Sequence, residues 1–539
     1  MDFLNGLQMG AVTALQPINL AYCFIGVLIG TLIGVLPGIG TSGAVAILMP
    51  ATFTMPSVSA IIMLAGIYYG AMYGGSTTSI LVNIPGEAAS VVTCFDGYQM
   101  ARQGRAGPAL GIAAFGSFIA GYFGVAMISI LAPSLARIAF DFGPPEFFGL
   151  MVLGLTLSTF LGSGSMIKAL LMVSLGIVFG CVGTDPISGT PRLTYGVKAL
   201  LDGLDMVPVV MGLFGISEVL INLEQQEERD IYETKIRGLL PNREDWRRSI
   251  KPIARGSVIG FFVGIIPGGT AVISSFVSYA IEKRISRRPE EFGRGAIEGV
   301  AGPEAAKNAA TFGSMVPLLT LGIPSNVVMA LFLAALMIHG TTPGPLLIQN
   351  HPDFFWGVMI SMMVGNLMLL VLNLPLIGIW VKILKVPYKI LFPLIILFCL
   401  IGAYSVNLRV IDVAVMLIFG VFGYLMKKYE YDGGPFILAF ILGPLLETAL
   451  RQSLIISQGG LGIFVTRPLT LISLLVYAVT MNYLGFLVST TLFLAFLLWA
   501  VAPQRWYVVI FGSLLASVAS FTIFEILLKS PLPKGIFEF

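Results

Sequence analysis

Hydroxyl, amide and carboxyl side chains are sparse in the apolar parts of this chain and gather in a few places. Ser76, Thr77 and Thr78 run towards Asn83, Pro85, Gly86 and Glu87. Gly38, Gly40, Thr41 and Ser42 form a second group. Gly268, Gly269 and Thr270 form a third, and Asn308, Pro324, Ser325 and Asn326 a fourth, with Glu304 just ahead of it. Hydroxyls and unwound carbonyls suit a sodium ion. Free N–H groups at a helix N-terminus favour a carboxylate. The chemistry on offer is therefore binding of ions and small anions. Catalysis would need converging acids, histidines or a nucleophile, and there are only two histidines, His339 and His351. They form no ligand-spaced cluster, so no metal site, cofactor or enzymatic activity is expected.

One glycine pattern suggests another chemistry. GVLPGIGTSGAVAIL (residues 34–48) contains G-x-G-x-x-G at Gly38, Gly40 and Gly43. A dinucleotide site needs a strand before that motif, an amphipathic helix after it and an acid about 20 positions on. Here both flanks are apolar, and the next acid after Asp2 is Glu87. No phosphate-binding G-x-x-x-x-G-K-[ST] occurs either.

The elements that position these residues are membrane helices. Of 539 residues 56% are hydrophobic and 11% charged, against about 25% charged in soluble domains. Mean hydropathy is +0.91. Apolar runs long enough to cross a bilayer recur throughout, such as residues 112–132 and 508–528. The fold class is thus an all-α polytopic membrane protein. Residues 1–16 have no basic stretch, so no cleaved signal is expected. Cys23, Cys94, Cys181 and Cys399 are scattered and read as packed thiols. The net charge of +3 says little about partners, and no nucleic-acid partner is expected.

The opening motif returns. GIIPGGT (residues 264–270) repeats the core of GVLPGIG 230 positions on. LVNIPG and TLGIPS place Ile-Pro pairs 239 apart, and Gly107-Pro108 matches Gly344-Pro345 at 237. The same order of landmarks argues for two related halves. Matched loops differ in charge. Residues 50–60 carry no Lys or Arg, while residues 281–295 carry Lys283, Arg284, Arg287, Arg288 and Arg294. One loop later the bias reverses, with Arg102 and Arg105 in the first half and no Lys or Arg in residues 340–353. Basic loops stay cytoplasmic, so the halves are expected to be inverted-topology repeats, a transporter architecture.

Residues 1–222 then form the first repeat, 223–255 a charged cytoplasmic linker, 256–467 the second repeat and 468–539 a further membrane segment. Residues 256–281 are one span long yet basic at both ends. A re-entrant hairpin turning at Pro267-Gly268-Gly269 satisfies both ends, with arms too short to span. By symmetry residues 22–53 turn at Pro37-Gly38. An ordinary kinked span is the alternative. Further crossings are expected near residues 61–83, 112–132, 146–161, 166–183 and 206–223; residues 436–467 thread ambiguously.

Proline removes an N–H and clashes with the preceding turn, and glycine allows the chain to reverse. Such breaks are tolerated at membrane depth only where protein or a water-filled cavity covers them. The hydroxyl groups beside them are either ligands or helix-packing residues. Glu87 and Glu304 either bind a cation or proton, or lie hydrated at an interface. Asp185 and Arg192 either pair with each other or dock a partner.

The runs GVLPGIG, AMYGGSTTSILVNIPGE, FDGYQMARQGRAGPALG, GTDPISGTPRLTYG, GPEAAKNAA, TLGIPS and IHGTTPGPLL together resemble the large membrane subunit of tripartite tricarboxylate transporters. The resemblance covers about residues 1–471. Lys307 and Ser325 depart from it, where a smaller or polar residue and a glycine are expected. Residues 476–539 are similar to the C-terminal half of the small membrane subunit. The resemblance implies a multi-pass bacterial inner-membrane protein and secondary transport of a carboxylate. It implies a periplasmic binding protein that delivers substrate, a small membrane subunit, here partly fused, and a sodium or proton gradient as driving force. A passive anion channel and a membrane-embedded enzyme are the alternatives.

Overall fold

The computed structural model describes residues 3–36, 40–139, 142–161, 166–224, 238–266, 268, 270–383, 388–460 and 462–466. Gly38 and Gly269, like residues 468–539, lie outside them. The first half contains α1 (Phe3–Ala14), α2 (Pro17–Val35), α3 (Gly40–Leu48), α4 (Ser57–Val82), α5 (Ala106–Ala139), α6 (Pro144–Leu161), α7 (Met166–Gly180) and α8 (Met206–Glu224). The second contains α9 (Arg243–Ile265), α10 (Ala271–Ile285), α11 (Glu298–Gly313), α12 (Met315–Leu321), α13 (Val327–Ile338), α14 (Pro352–Asn373), α15 (Tyr388–Asn407), α16 (Val410–Lys428) and α17 (Gly433–Ile456). Among the described residues seven helices are long and apolar enough to cross a membrane. The one sheet there pairs Gly183–Thr184 with Pro191–Arg192. The protein is an all-α multi-pass membrane protein.

Glycines set the closest helix contacts. A Cβ added to Gly26, Gly30 or Gly34 of α2 would stand 2.4, 2.4 or 2.2 Å from the carbonyl oxygens of Met63, Ile67 and Ala71 on α4. No side chain fits there, so the backbones touch, as small residues allow in membranes. The contact recurs in the second half. Gly256, Gly260 and Gly264 of α9 meet the carbonyls of Gly302, Ala306 and Ala310 on α11 at 2.3, 2.0 and 2.3 Å. All three glycines are displaced by 230 residues and all three carbonyls by 239. The first arm of each broken segment therefore lies on the following long helix in the same register.

The second arms pack on their own halves and also reach the other one. α3 packs on α13 of the other half, and α10 packs on the turn Ala88–Ser90. α5 lies against both α9 and α11, and α14 against α2, α4 and α5. α17, in the stretch that threads ambiguously by sequence, packs on α6 and α7.

The basic loops meet at one end of the molecule. Arg105 pairs with Asp245 at 2.6 Å, and Gln103 Nε2 donates to the Arg294 carbonyl at 2.7 Å. Buried Asp96 draws the same end together. Its Oδ1 accepts from the amides of Gly293, Gly295 and Ala296, each at 2.8 Å, and its Oδ2 from the Tyr279 hydroxyl at 2.9 Å. The loops without basic residues meet elsewhere, where Thr52 and the ring of His339 are 3.4 Å apart. Thr52 precedes α4 and Asp96 follows it, and the helix between has 26 residues, about 39 Å at ~1.5 Å each.

The arms differ from the sequence expectation. Instead of two short arms, each broken segment has one long and one short. α2 has 19 residues and α9 has 23, against 9 in α3 and 15 in α10. Residues 243–255, read as linker, form the first turns of α9. Asn242 caps that helix by accepting from the Asp245 amide at 2.8 Å, and the Asp245 carboxylate accepts from the Asn242 amide in return. The polar turns continue an apolar helix rather than connect to one.

Candidate functional site

Each half carries two breaks, and in each half they touch. α2 stops at Val35, two residues before Pro37. The carbonyl of Val35, left without a helical donor, accepts from Thr78 Oγ1 at 2.7 Å. The second break brings Gly86 against the first: a Cβ there would lie 2.1 Å from the Gly34 oxygen and 2.6 Å from the Gly75 Cα. In the second half Gly268, at φ +80°, donates its amide to the Ser325 carbonyl at 2.8 Å. Thr270 caps α10 by accepting from the Ile273 amide at 3.3 Å, and Asn326 caps α13 by accepting from Met329 at 3.0 Å.

Beside the first pair of breaks lies a buried ionic nest. Glu87 caps the turn Ala88–Ser90, accepting from the Ala89 amide at 2.9 Å and from Ser90 Oγ at 2.8 Å. Glu304 on α11 accepts from Ser76 Oγ at 2.7 Å and also from Thr93. Between the two carboxylates stands Lys307. Its Nζ donates to Ser90 Oγ at 2.7 Å and Ser76 Oγ at 2.8 Å, and lies 3.1 Å from Glu304 and 3.6 Å from Glu87. All three ionic residues are at most 6% exposed. A buried charge persists only when paired and hydrogen-bonded, and here both conditions are met. Asn308 extends the network by donating to Ser117 Oγ at 2.7 Å. A cavity of about 10 Å³ lined by Tyr73, Ser76, Thr77, Ser117 and Asn373 adjoins it, room for about one water.

The sequence candidates divide accordingly. Ser76, Glu87 and Asn308 come together in the nest, and Thr77 lines the small cavity. Thr78 and Gly86 hold the breaks together. Gly268, Thr270, Pro324, Ser325 and Asn326 build the second pair of breaks. Gly40 opens α3 at φ +68°, with Thr41 and Ser42 half-buried on its first turn. Asn83 is placed elsewhere: it ends α4 in the left-handed region and faces a separate cleft with Tyr279 and Lys283. The hydrated reading of Glu87 and Glu304 is overturned by their burial. Asp185 and Arg192 do pair, at 3.0 Å, within a cluster that includes Glu447 and Arg451. Ser90, Thr93 and Ser117 were not singled out by sequence. Lys307 stood out only as a departure from a motif.

This geometry offers ion pairing and anion-attracting helix N-termini inside a membrane protein. The model of the tripartite tricarboxylate transporter TctA family matches residues 20–438. The chain belongs to that family. The TctB family model of the same transporters matches residues 435–533, so this TctA-family chain ends in a TctB-like segment that starts on α17. It is 50% identical over 469 residues to an uncharacterized 52.8 kDa protein of the TAR-I ttuC' 3' region of Agrobacterium vitis, covering 87% of this chain and 93% of that one. It is 51% identical over 210 residues to a TAR-II ttuC' 3' region protein of the same organism, covering 39% of this chain and 87% of that one. No solved structure matches the TctA-family chain.

Proposed function

We propose that this chain is the membrane translocator of a secondary active importer of carboxylates, tricarboxylates or related acids, in the bacterial inner membrane. The observation that carries the reading is the paired breaks. Each half ends helices against each other in the protein interior, so that α3, α10 and α13 begin there. Their N-termini provide free N–H groups and partial positive charge for carboxylates. Burial of Glu87, Glu304 and Lys307 supplies the ionic machinery that coupled transport needs. A periplasmic binding protein hands over the substrate. A small membrane subunit, partly supplied by residues 435–533, completes the assembly.

The halves act as inverted repeats. Two observations support this: the glycine contacts of α2 on α4 and α9 on α11 share one register, and loops of opposite charge bias gather at opposite ends of α4. Rocking of one unit against the other would open the site to either side. The breaks interrupt the helical hydrogen-bond ladder, and that is where the backbone can yield.

Uptake of a labelled carboxylate panel into inside-negative proteoliposomes tests the reading, with and without a sodium gradient, a pH gradient and the binding protein. Accumulation that needs the binding protein and one of the gradients is expected. Downhill flux alone would make the chain a channel.

A further inference from the structure

The Lys307 ammonium occupies a shell that resembles a place for a metal ion more than a place for a lysine. Four oxygens surround Nζ between 2.7 and 3.6 Å. They come from three segments: Ser76 from α4, Glu87 and Ser90 from the second break, and Glu304 from α11. Two are carboxylates and two are hydroxyls, the hard oxygen donors that small hard cations select. A second observation lies one residue on. The fully buried Asn308 carboxamide donates to Ser117, while its Oδ1 has no hydrogen-bond partner. One buried acceptor next to the shell in sequence is thus left without a donor from the protein.

The internal repeat gives the comparison. Lys307 follows Ala306, the carbonyl that meets Gly260. Its counterpart follows Ile67, the carbonyl that meets Gly30, and is Tyr68. The Tyr68 hydroxyl lies near Thr311 and Ser314 at the end of α11 and near Asn326 at the second break of the other half. Each long helix therefore sends one side chain into the small polar residues of the opposite break. One is a neutral hydroxyl. The other is a full positive charge facing two carboxylates.

We propose that Lys307 is a tethered cation. Its ammonium fills a site for a monovalent inorganic cation built from Ser76, Ser90, Glu87 and Glu304, and the chain needs no bound ion there. Removing the amine leaves two buried carboxylates and two hydroxyls that recruit sodium instead. The site stands on its own geometry; its meaning for coupling rests on the transport reading above. One cation of the coupling set is then carried by the protein itself.

The test uses the purified full chain and no substrate, so it is independent of whether carboxylates are carried. Bound ²²Na⁺ per chain and thermal unfolding are measured over a sodium series, with choline holding ionic strength. Wild type, Lys307→Ala, Lys307→Asn and the double variant K307A/E304Q are compared. Lys307→Ala and Lys307→Asn are expected to bind one more sodium per chain than wild type, saturably. Their unfolding midpoint should rise with sodium, as binding to the folded state requires. K307A/E304Q should lose that gain. Monodisperse single variants that bind no more sodium than wild type overturn the proposal. Aggregation of both single variants, whether or not sodium is present, also overturns it, because an ion able to take the amine's place would rescue them.

Discussion

The amide of Gly268 donates to the carbonyl of Ser325 across 2.8 Å and so fastens the two breaks of the second half to each other. Gly268 does this at φ +80°, where a side chain is strained. The hydrogen bond exists only because the chain can turn there.

Gly268→Val is therefore expected to abolish uptake in proteoliposomes while the protein still inserts in membranes. A β-branched residue is a genuine outlier at positive φ, and relaxing it pulls the donor from Ser325. Wild-type uptake in this variant would remove the breaks from the site.

The glycine stripe gives a packing prediction. Gly30→Leu and Gly260→Leu force apart backbones whose carbonyls stand 2.4 and 2.0 Å from the new Cβ. Both should fold poorly, seen as loss of the monodisperse peak in size exclusion. Gly104→Ala has a positive φ but open space around it. It should keep that peak, at a cost of about 1–2 kcal/mol for the left-handed backbone.

Glu304→Gln leaves Lys307 buried with only the more distant Glu87 as charged partner. Breaking a buried pair from one side costs about 3–5 kcal/mol. A large drop in thermal stability is expected. Lys307→Met combined with Glu304→Gln should recover part of it, since the lost charges balance. A double-mutant cycle measures the coupling; additive losses would mean that the two side chains do not interact.

Asp185 supplies the pH prediction. Hydrogen bonds from Ser188 and then from Arg451, with the Ile187 amide, hold its carboxyl well below the usual carboxylate range. A lowered folded-state value adds stability above the ordinary value and loses it as pH falls through the lowered one. The loop of residues 183–203 should therefore stay protected from hydrogen exchange through mild acid and open only below the ordinary carboxylate range. Arg451→Leu should move that opening to higher pH. An unmoved opening would assign the loop's stability to something other than this pair.

Much of the frame was legible in the sequence because its signals are local. Proline and glycine mark the breaks whatever surrounds them, and apolar runs mark α6, α7 and α8 to within about three residues and the middles of α4 and α5. The arm lengths were not, because α9 changes from a polar to an apolar surface partway and its first turns look like linker. Half of the nest was legible. Ser76, Glu87 and Asn308 lie in conspicuous polar groups, whereas Ser90, Thr93 and Ser117 look like ordinary small packing residues. Placing Lys307 between Glu87 and Glu304 needs α11 to meet the turn Ala88–Ser90, a tertiary contact without periodicity to betray it.

That contact also sets an order of events during synthesis. Lys307 leaves the ribosome 217 residues after Ser90, the hydroxyl that accepts its hydrogen bond. At ~5–20 residues per second this is a delay on the order of 10–40 s. Through that interval the first half has Glu87 without its ammonium, and α11, the surface that buries it, is not yet made. The nascent first half must keep this corner wet or protected by the insertion machinery. The membrane core of this protein closes only when its second half arrives.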